Sequence, residues 1–121
     1  MVEVELFRDD GVVTVFPTGP LAERDFLELA GLVDPYLEQH GNLKGLMISA
    51  QHFPGWENFA SLVSHIRFVR NHETRVRRVA LVTDSAVLEL VPALARHFVQ
   101  AEVQRFAFDQ RDAAFAWLKA V

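Results

Sequence analysis

Short β-branched runs alternate along this chain with segments of helical period, and that alternation narrows the available folds more than any other feature. Val2-Glu3-Val4-Glu5-Leu6 has period two, as a strand with one buried face requires. Asp10-Gly11 marks a hairpin turn, and Val12-Val13-Thr14-Val15-Phe16 reads as the returning strand. From Leu21 to about His40 the period changes: Phe26, Leu29, Ala30, Val33 and Leu37 recur at helical spacing. Pro35 is expected to kink or restart this helix with Asp34 as a cap, and Gly41 to end it. Leu43 to Ala50 then reads as a strand covered on both faces.

The second half repeats the alternation. A helix is expected from about Trp56 to Asn71, with Phe59, Leu62, Val63, Ile66 and Val69 as its buried stripe. A strand follows over Val76 to Asp84, then a helix from Ser85 to Phe98 interrupted by Pro92. Val103 to Asp109 reads as the last strand, with Phe106 and Phe108 on one face with Gln104, and Gln110 to Val121 as the closing helix. The order is ββαβαβαβα. Helices between strands imply right-handed parallel crossovers, and the first hairpin adds an antiparallel edge. With 121 residues and no internal repeat, one α/β domain is expected.

Composition excludes several classes of function. Cysteine is absent, which removes disulfides, thiolate nucleophiles and cysteine metal sites. No apolar run reaches the ~18–20 residues needed to span a bilayer, and the first residues lack the basic and apolar regions of a secretory leader, so a cytoplasmic protein is expected. The net charge of −4 argues against nucleic acid as a partner. Charge is nonetheless uneven: Arg67, Arg70, Arg75, Arg77 and Arg78 supply five of the twelve basic residues in one short run. Such a run suits either an anionic partner surface or a solvated face.

Chemistry or recognition is expected where the third strand gives way to the second helix, at Ser49-Ala50-Gln51-His52-Phe53-Pro54-Gly55-Trp56. Open α/β sheets bind ligands beyond the carboxyl ends of their parallel strands. This crossover carries no nucleophile, phosphate-cradling glycine run or metal spacing. It carries aromatic bulk instead.

The element order, the Gly55-Trp56 helix opening and the run Arg78-Val79-Ala80-Leu81-Val82-Thr83-Asp84 resemble the SpoIIAA-like proteins of the STAS superfamily. Arg105-Phe106 and Ala113-Ala114-Phe115-Ala116-Trp117-Leu118 extend the resemblance over nearly the whole chain. It implies a mostly parallel five-stranded sheet with an N-terminal hairpin. The superfamily includes anti-sigma-factor antagonists controlled by phosphorylation of a Ser that follows an Asp at the start of the second helix. Neither residue is present in Gln51-His52-Phe53-Pro54-Gly55-Trp56; Ser49 falls inside the strand and Ser61 well within the expected helix. Phosphorelay is therefore not expected. The Gly-Trp opening instead resembles single-domain members linked to non-polar ligands and peripheral membrane association, and likened to the lipid-carrying SEC14 proteins.

These readings together predict a non-enzymatic module without metal or cofactor. Ligand-binding candidates are His52, Phe53, Trp56 and Phe59, with pure core packing as the other reading of the aromatics. The second helix would move against the sheet to open an apolar cleft with Trp56 and Phe59 near its mouth. Arg67, Phe68, Arg70 and Arg75 are candidates for a membrane or partner surface: Phe68 falls about 100° or more off the buried stripe, which would let it insert into lipid between cations. Expected partners are a non-polar small molecule or an anionic membrane surface, with a homodimer also expected. The alternative is a protein–protein regulatory module of the anti-sigma-antagonist type that lacks the phosphorylatable Ser. Five histidines (His40, His52, His65, His72 and His97) give no helical metal pair, since His65 and His72 are seven residues apart. His52, Asp84 and Ser85 could suggest hydrolysis, but no nucleophile-elbow motif accompanies them and Asp84-Ser85 reads better as a helix cap.

Overall fold

The computed structural model describes residues 1–52, 54–72, 75–84 and 102–121; within 59–72 it describes the side chains of 61, 64, 65, 67, 68, 71 and 72. The elements are β1 (Val2–Phe7), β2 (Val12–Pro17), α1 (Glu23–His40), β3 (Leu43–Ser49), α2 (Phe59–His72), β4 (Val76–Val82) and β5 (Glu102–Phe106). A 3-10 turn at Phe108–Gln110 then leads into α3 (Arg111–Lys119). The strands form one sheet in the order β1-β2-β3-β4-β5. β1 pairs antiparallel with β2, and each later neighbour pairs parallel. This is the α/β arrangement that the alternating periods predict. The helix expected over 85–98 lies outside the described residues.

Period-two alternation gives the sheet two apolar faces. Register aligns Val13, Leu46, Val79 and Val103 across four strands, and this face packs with Leu29, Val33, Tyr36 and Leu37 of α1. The opposite face aligns Met47 with Ala80 and Val82 with Phe106, and receives Ala114 and Leu118 of α3. Gly45 of β3 makes that second contact feasible: a Cβ there would lie 2.7 Å from Leu118 Cβ and Cδ2. Helix and strand backbones therefore approach to a distance that only glycine permits.

Three local expectations are corrected. Pro35 does not restart α1, which runs as one helix through it. Proline at 35 frees the carbonyl of Gly31, and both residues are exposed, so water can take the hydrogen bond that the helix loses. α2 starts at Phe59 and not Trp56, because the Asn58 side-chain oxygen accepts the Ser61 N–H at 2.9 Å and caps the helix there. Ser61 is thus in the first turn, buried, with its hydroxyl donating to the same oxygen at 2.9 Å. β5 ends at Phe106, because Asp84 Oδ1 accepts the Phe108 N–H at 3.1 Å and Gln110 Oε1 accepts the Ala107 N–H at 3.1 Å. Phe108 lies in the resulting 3-10 turn and does not continue the strand face.

Candidate functional site

Trp56 sits just ahead of α2, where its backbone bridges to Leu21 before α1. The Leu21 N–H donates to Gly55 O at 2.9 Å and the Glu57 N–H to Leu21 O at 2.7 Å. Gly55 enters this short ladder at φ +81, a left-handed conformation that side chains disfavour. The openings of α1 and α2 are thereby tied together, and Trp56 is fixed at the top of the seam between the two helices.

Below it the seam is built from flat rings. Trp56 Nε1–H donates to His65 Nδ1 at 3.0 Å. His65 stacks on Phe26 of α1, with centroids 4.9 Å apart and planes 21° apart. Phe26 meets Phe68 at 6.3 Å, and Phe68 stacks on His72 at 4.0 Å. His72 closes the row: Nε2 lies 2.7 Å from Asp34 Oδ1 on α1, and Nδ1 lies 2.7 Å from Phe68 O. His65, Phe68 and His72 follow the i, i+3, i+7 spacing that places residues on one helix face.

Burial pushes the His65 imidazole down from its ordinary value to about 4. At neutral pH the ring is uncharged, with Nδ1 accepting from Trp56 and the proton on Nε2. The upper seam therefore combines apolar ring faces with an indole N–H paired to a neutral imidazole.

Several surface candidates have other work in the fold. Phe68 does not face outward; it is half-buried in the seam and packs against the α1-side core. Facing Phe26 across the seam outweighs its offset from the aliphatic stripe. Arg75 donates to Leu37 O at 2.8 Å and Gly41 O at 3.2 Å, closing the carboxyl end of α1. Arg78 does the same for α3, donating to Trp117 O at 2.7 Å while its guanidinium lies 4.8 Å from the Trp117 ring centroid. Arg67 and Arg77 are exposed. The side chains of Phe59 and Arg70, and all of Phe53, lie outside the described residues.

The carboxyl ends of the strands form a shallow, open cleft bordered by Gln51, Asp84, Ala107, Phe108 and Asp109. His52 is exposed beside Gln51. The Gln51 carbonyl accepts the Asp84 N–H at 3.1 Å and the Thr83 hydroxyl at 3.2 Å, which holds the β3 and β4 ends together. The Asp84 carboxylate caps the turn at Phe108, and Ser85 lies outside the described residues, so no His52–Asp84 pair forms among the described residues. Among them no group of three or more His, Asp or Glu residues could hold a metal, and no helix is long and apolar enough to cross a membrane.

Sequence reasoning noted His65 and His72 only for their spacing. Their partners Phe26 and Asp34 are forty residues or so upstream, and nothing in a single sequence pairs the two helices at that register.

A five-stranded sheet with an antiparallel first hairpin, α1 and α2 meeting along an aromatic seam, and α3 across the opposite face define a small α/β module of SpoIIAA-like fold. A family model described as SpoIIAA-like matches residues 12–119, and the chain belongs to that family. Among solved structures it is similar to an uncharacterized protein of the DUF3478 family with a SpoIIAA-like fold from Shewanella loihica PV-4. The TM-score is 0.72 at 19% identity, covering 98% of this chain and 92% of that one. No curated protein matches the chain. The fold is consistent with a non-enzymatic regulatory or binding module.

Proposed function

We propose that this chain is a non-enzymatic binding module that takes a non-polar small molecule in the α1–α2 seam. The observation that carries the reading is the row Trp56–His65–Phe26–Phe68–His72. Among the described side chains, flat rings meet across this part of the helix pair, and flat faces slide apart more readily than interlocked ridges. Phe and Trp side chains bury about 150–250 Å² each in packed contacts, so a guest held between such rings would gain apolar contact on both faces. The indole N–H is directed at the uncharged His65, so no bare charge meets such a guest near Trp56.

A peripheral membrane role draws less support. Phe68 packs in the seam and Arg75 closes α1, which leaves Arg67, among the described side chains, as the exposed cation of that proposed surface.

The test uses Trp117→Phe protein, in which Trp56 is the sole indole, titrated with 1-decanol. Saturable blue-shifted emission and a one-to-one adduct in native mass spectrometry are expected, both weakened by Phe26→Ala. An unchanged emission spectrum with no adduct up to the solubility limit would refute the reading. Co-sedimentation with phosphatidylglycerol vesicles that is lost in Arg67→Glu protein, without decanol binding, would favour the membrane role instead.

A further inference from the structure

The outward face of α1 has no part in the seam or the sheet. Leu27 stands on it with 74% of its surface exposed, more than any other large hydrophobic side chain among the described residues. At 100° per residue, Arg24, Leu27, Pro35 and Glu38 all fall within about 40° of Gly31. All five residues are exposed, whereas the buried Leu29 and Val33 lie on the opposite side of the helix. Gly31 leaves the middle of this face bare: beyond its own helix, no atom of the described residues comes within 4 Å of where its Cβ would stand.

The residues along this face are complementary to their own reverse. Four positions before and after Gly31 stand Leu27 and Pro35, both apolar. Seven positions before and after it stand Arg24 and Glu38, of opposite charge. In an antiparallel helix pair about a two-fold axis at Gly31, a residue before the glycine in one copy meets the residue equally far after it in the other. Arg24 of each copy then faces Glu38 of the other, and Leu27 of each lies toward Gly31 and Pro35 of the other. Both charge pairs form at once, as an isologous contact requires. Neither Arg24 nor Glu38 has an ion-pair partner among the described residues of its own chain. A parallel pair would instead set Arg24 against Arg24. Glu28 and Asp34 lie about 60° to opposite sides of Gly31, at the wet margin of the face, where Asp34 keeps its contact with His72.

We propose that the outward face of α1 is a self-association surface, on which two copies of this chain pair antiparallel through Arg24, Leu27, Gly31, Pro35 and Glu38. The match of the face to its own reverse, in charge and in apolar contact, names a second copy as the occupant. One helix per copy makes a small contact, below about 1,200 Å² in total, so the dimer is weak and reversible. The Gly31 carbonyl that Pro35 frees stays hydrated at the contact, as wet interfaces allow. Phe26 lies about 140° from Gly31 around the helix, so pairing leaves the rings of the seam uncovered and does not depend on what the seam binds.

The test is sedimentation velocity on the full chain from about 5 to about 500 μM at low salt. A concentration-dependent shift from monomer to dimer is expected; a monomer throughout would overturn the proposal. Leu27→Glu should weaken association more than about a hundredfold, because each dimer loses two leucine contacts, and should leave the circular dichroism spectrum unchanged. Arg24→Glu and Glu38→Arg should each weaken it about tenfold by creating two like-charge contacts per dimer. Combining the two exchanges should restore wild-type association, since every pair is again of opposite charge. A dimer that persists in Leu27→Glu protein, or a double exchange no tighter than the single ones, would place the interface elsewhere. Should Leu27→Glu protein fail to fold, the charge exchange decides alone.

Discussion

Acid should unfasten the upper seam through one residue, and the structure sets the size of the effect. His65 is neutral in the fold because burial lowers its pKa to about 4, and in the unfolded chain it returns to its ordinary value of 6.5. The sign follows from proton counts: between these values the unfolded chain binds the extra proton, so stability falls as pH drops through that window. The shift would correspond to roughly 3 kcal/mol at 1.36 kcal/mol per unit, of which roughly 2 kcal/mol falls between pH 7 and pH 4.5. A charged ring would also lose its role as acceptor for Trp56 Nε1. The assay is urea denaturation at half-unit steps from pH 7.5 to pH 4, on wild type and on His65→Phe. Phenylalanine keeps a ring against Phe26 and removes the titration. The variant should be less stable at pH 7, having lost the Trp56–His65 hydrogen bond, and its stability should be nearly flat across the window. Subtracting the two curves cancels the carboxylates common to both. Parallel curves would refute the reasoning, because they would place the acid sensitivity elsewhere.

Other expectations concern stability and are read by chemical denaturation at neutral pH. Gly45→Ala puts a methyl 2.7 Å from Leu118 and should cost about 1–3 kcal/mol, with the loss less than additive when combined with Leu118→Ala. Full additivity would mean that the two backbones do not meet as described. Arg75→Ala should cost about 1–2 kcal/mol by uncapping α1, whereas Arg67→Ala should stay within about 0.5 kcal/mol. Equal losses would return Arg75 to the solvated surface. Gly55→Ala should cost about 1 kcal/mol or more from backbone strain, since among the described residues none beyond its chain neighbours lies within 4 Å of its Cβ position, and should red-shift Trp56 emission.

The fold was legible because its determinants are local. Period two and period 3.6 follow from backbone geometry, so Val12 to Phe16 or Phe26 to Leu37 report their elements without knowledge of any neighbour. Element edges were less legible, and each error has a side chain behind it. Asn58 moves the start of α2 past Trp56, and Asp84 captures Phe108 from the expected strand. The site was legible in part. Gly55-Trp56 marks one end of the aromatic seam, but the residues that complete the seam belong to a second helix, and a hydrophobic stripe counts Phe26 only as core. Arg75 and Arg78 illustrate the same limit: a run of cations in sequence separates in space, one closing α1 and the other α3.

The two imidazoles of the seam are held by different neighbours. His65 accepts from an indole, so the closed upper seam needs it neutral. His72 has Asp34 Oδ1 across the seam and Phe68 O on its own helix, each 2.7 Å from a ring nitrogen. A ring with its proton on Nε2 already donates to Asp34, so the tie from α1 to α2 at that end does not depend on a second proton. Acid should therefore open the seam from its upper end. Trp56 quenching should rise as pH falls toward 4 in the wild type and stay flat in His65→Phe protein. His72→Phe should leave that acid limb in place. Should it remove the limb instead, the two rings do not act independently, and the Phe26–Phe68 contact would couple them.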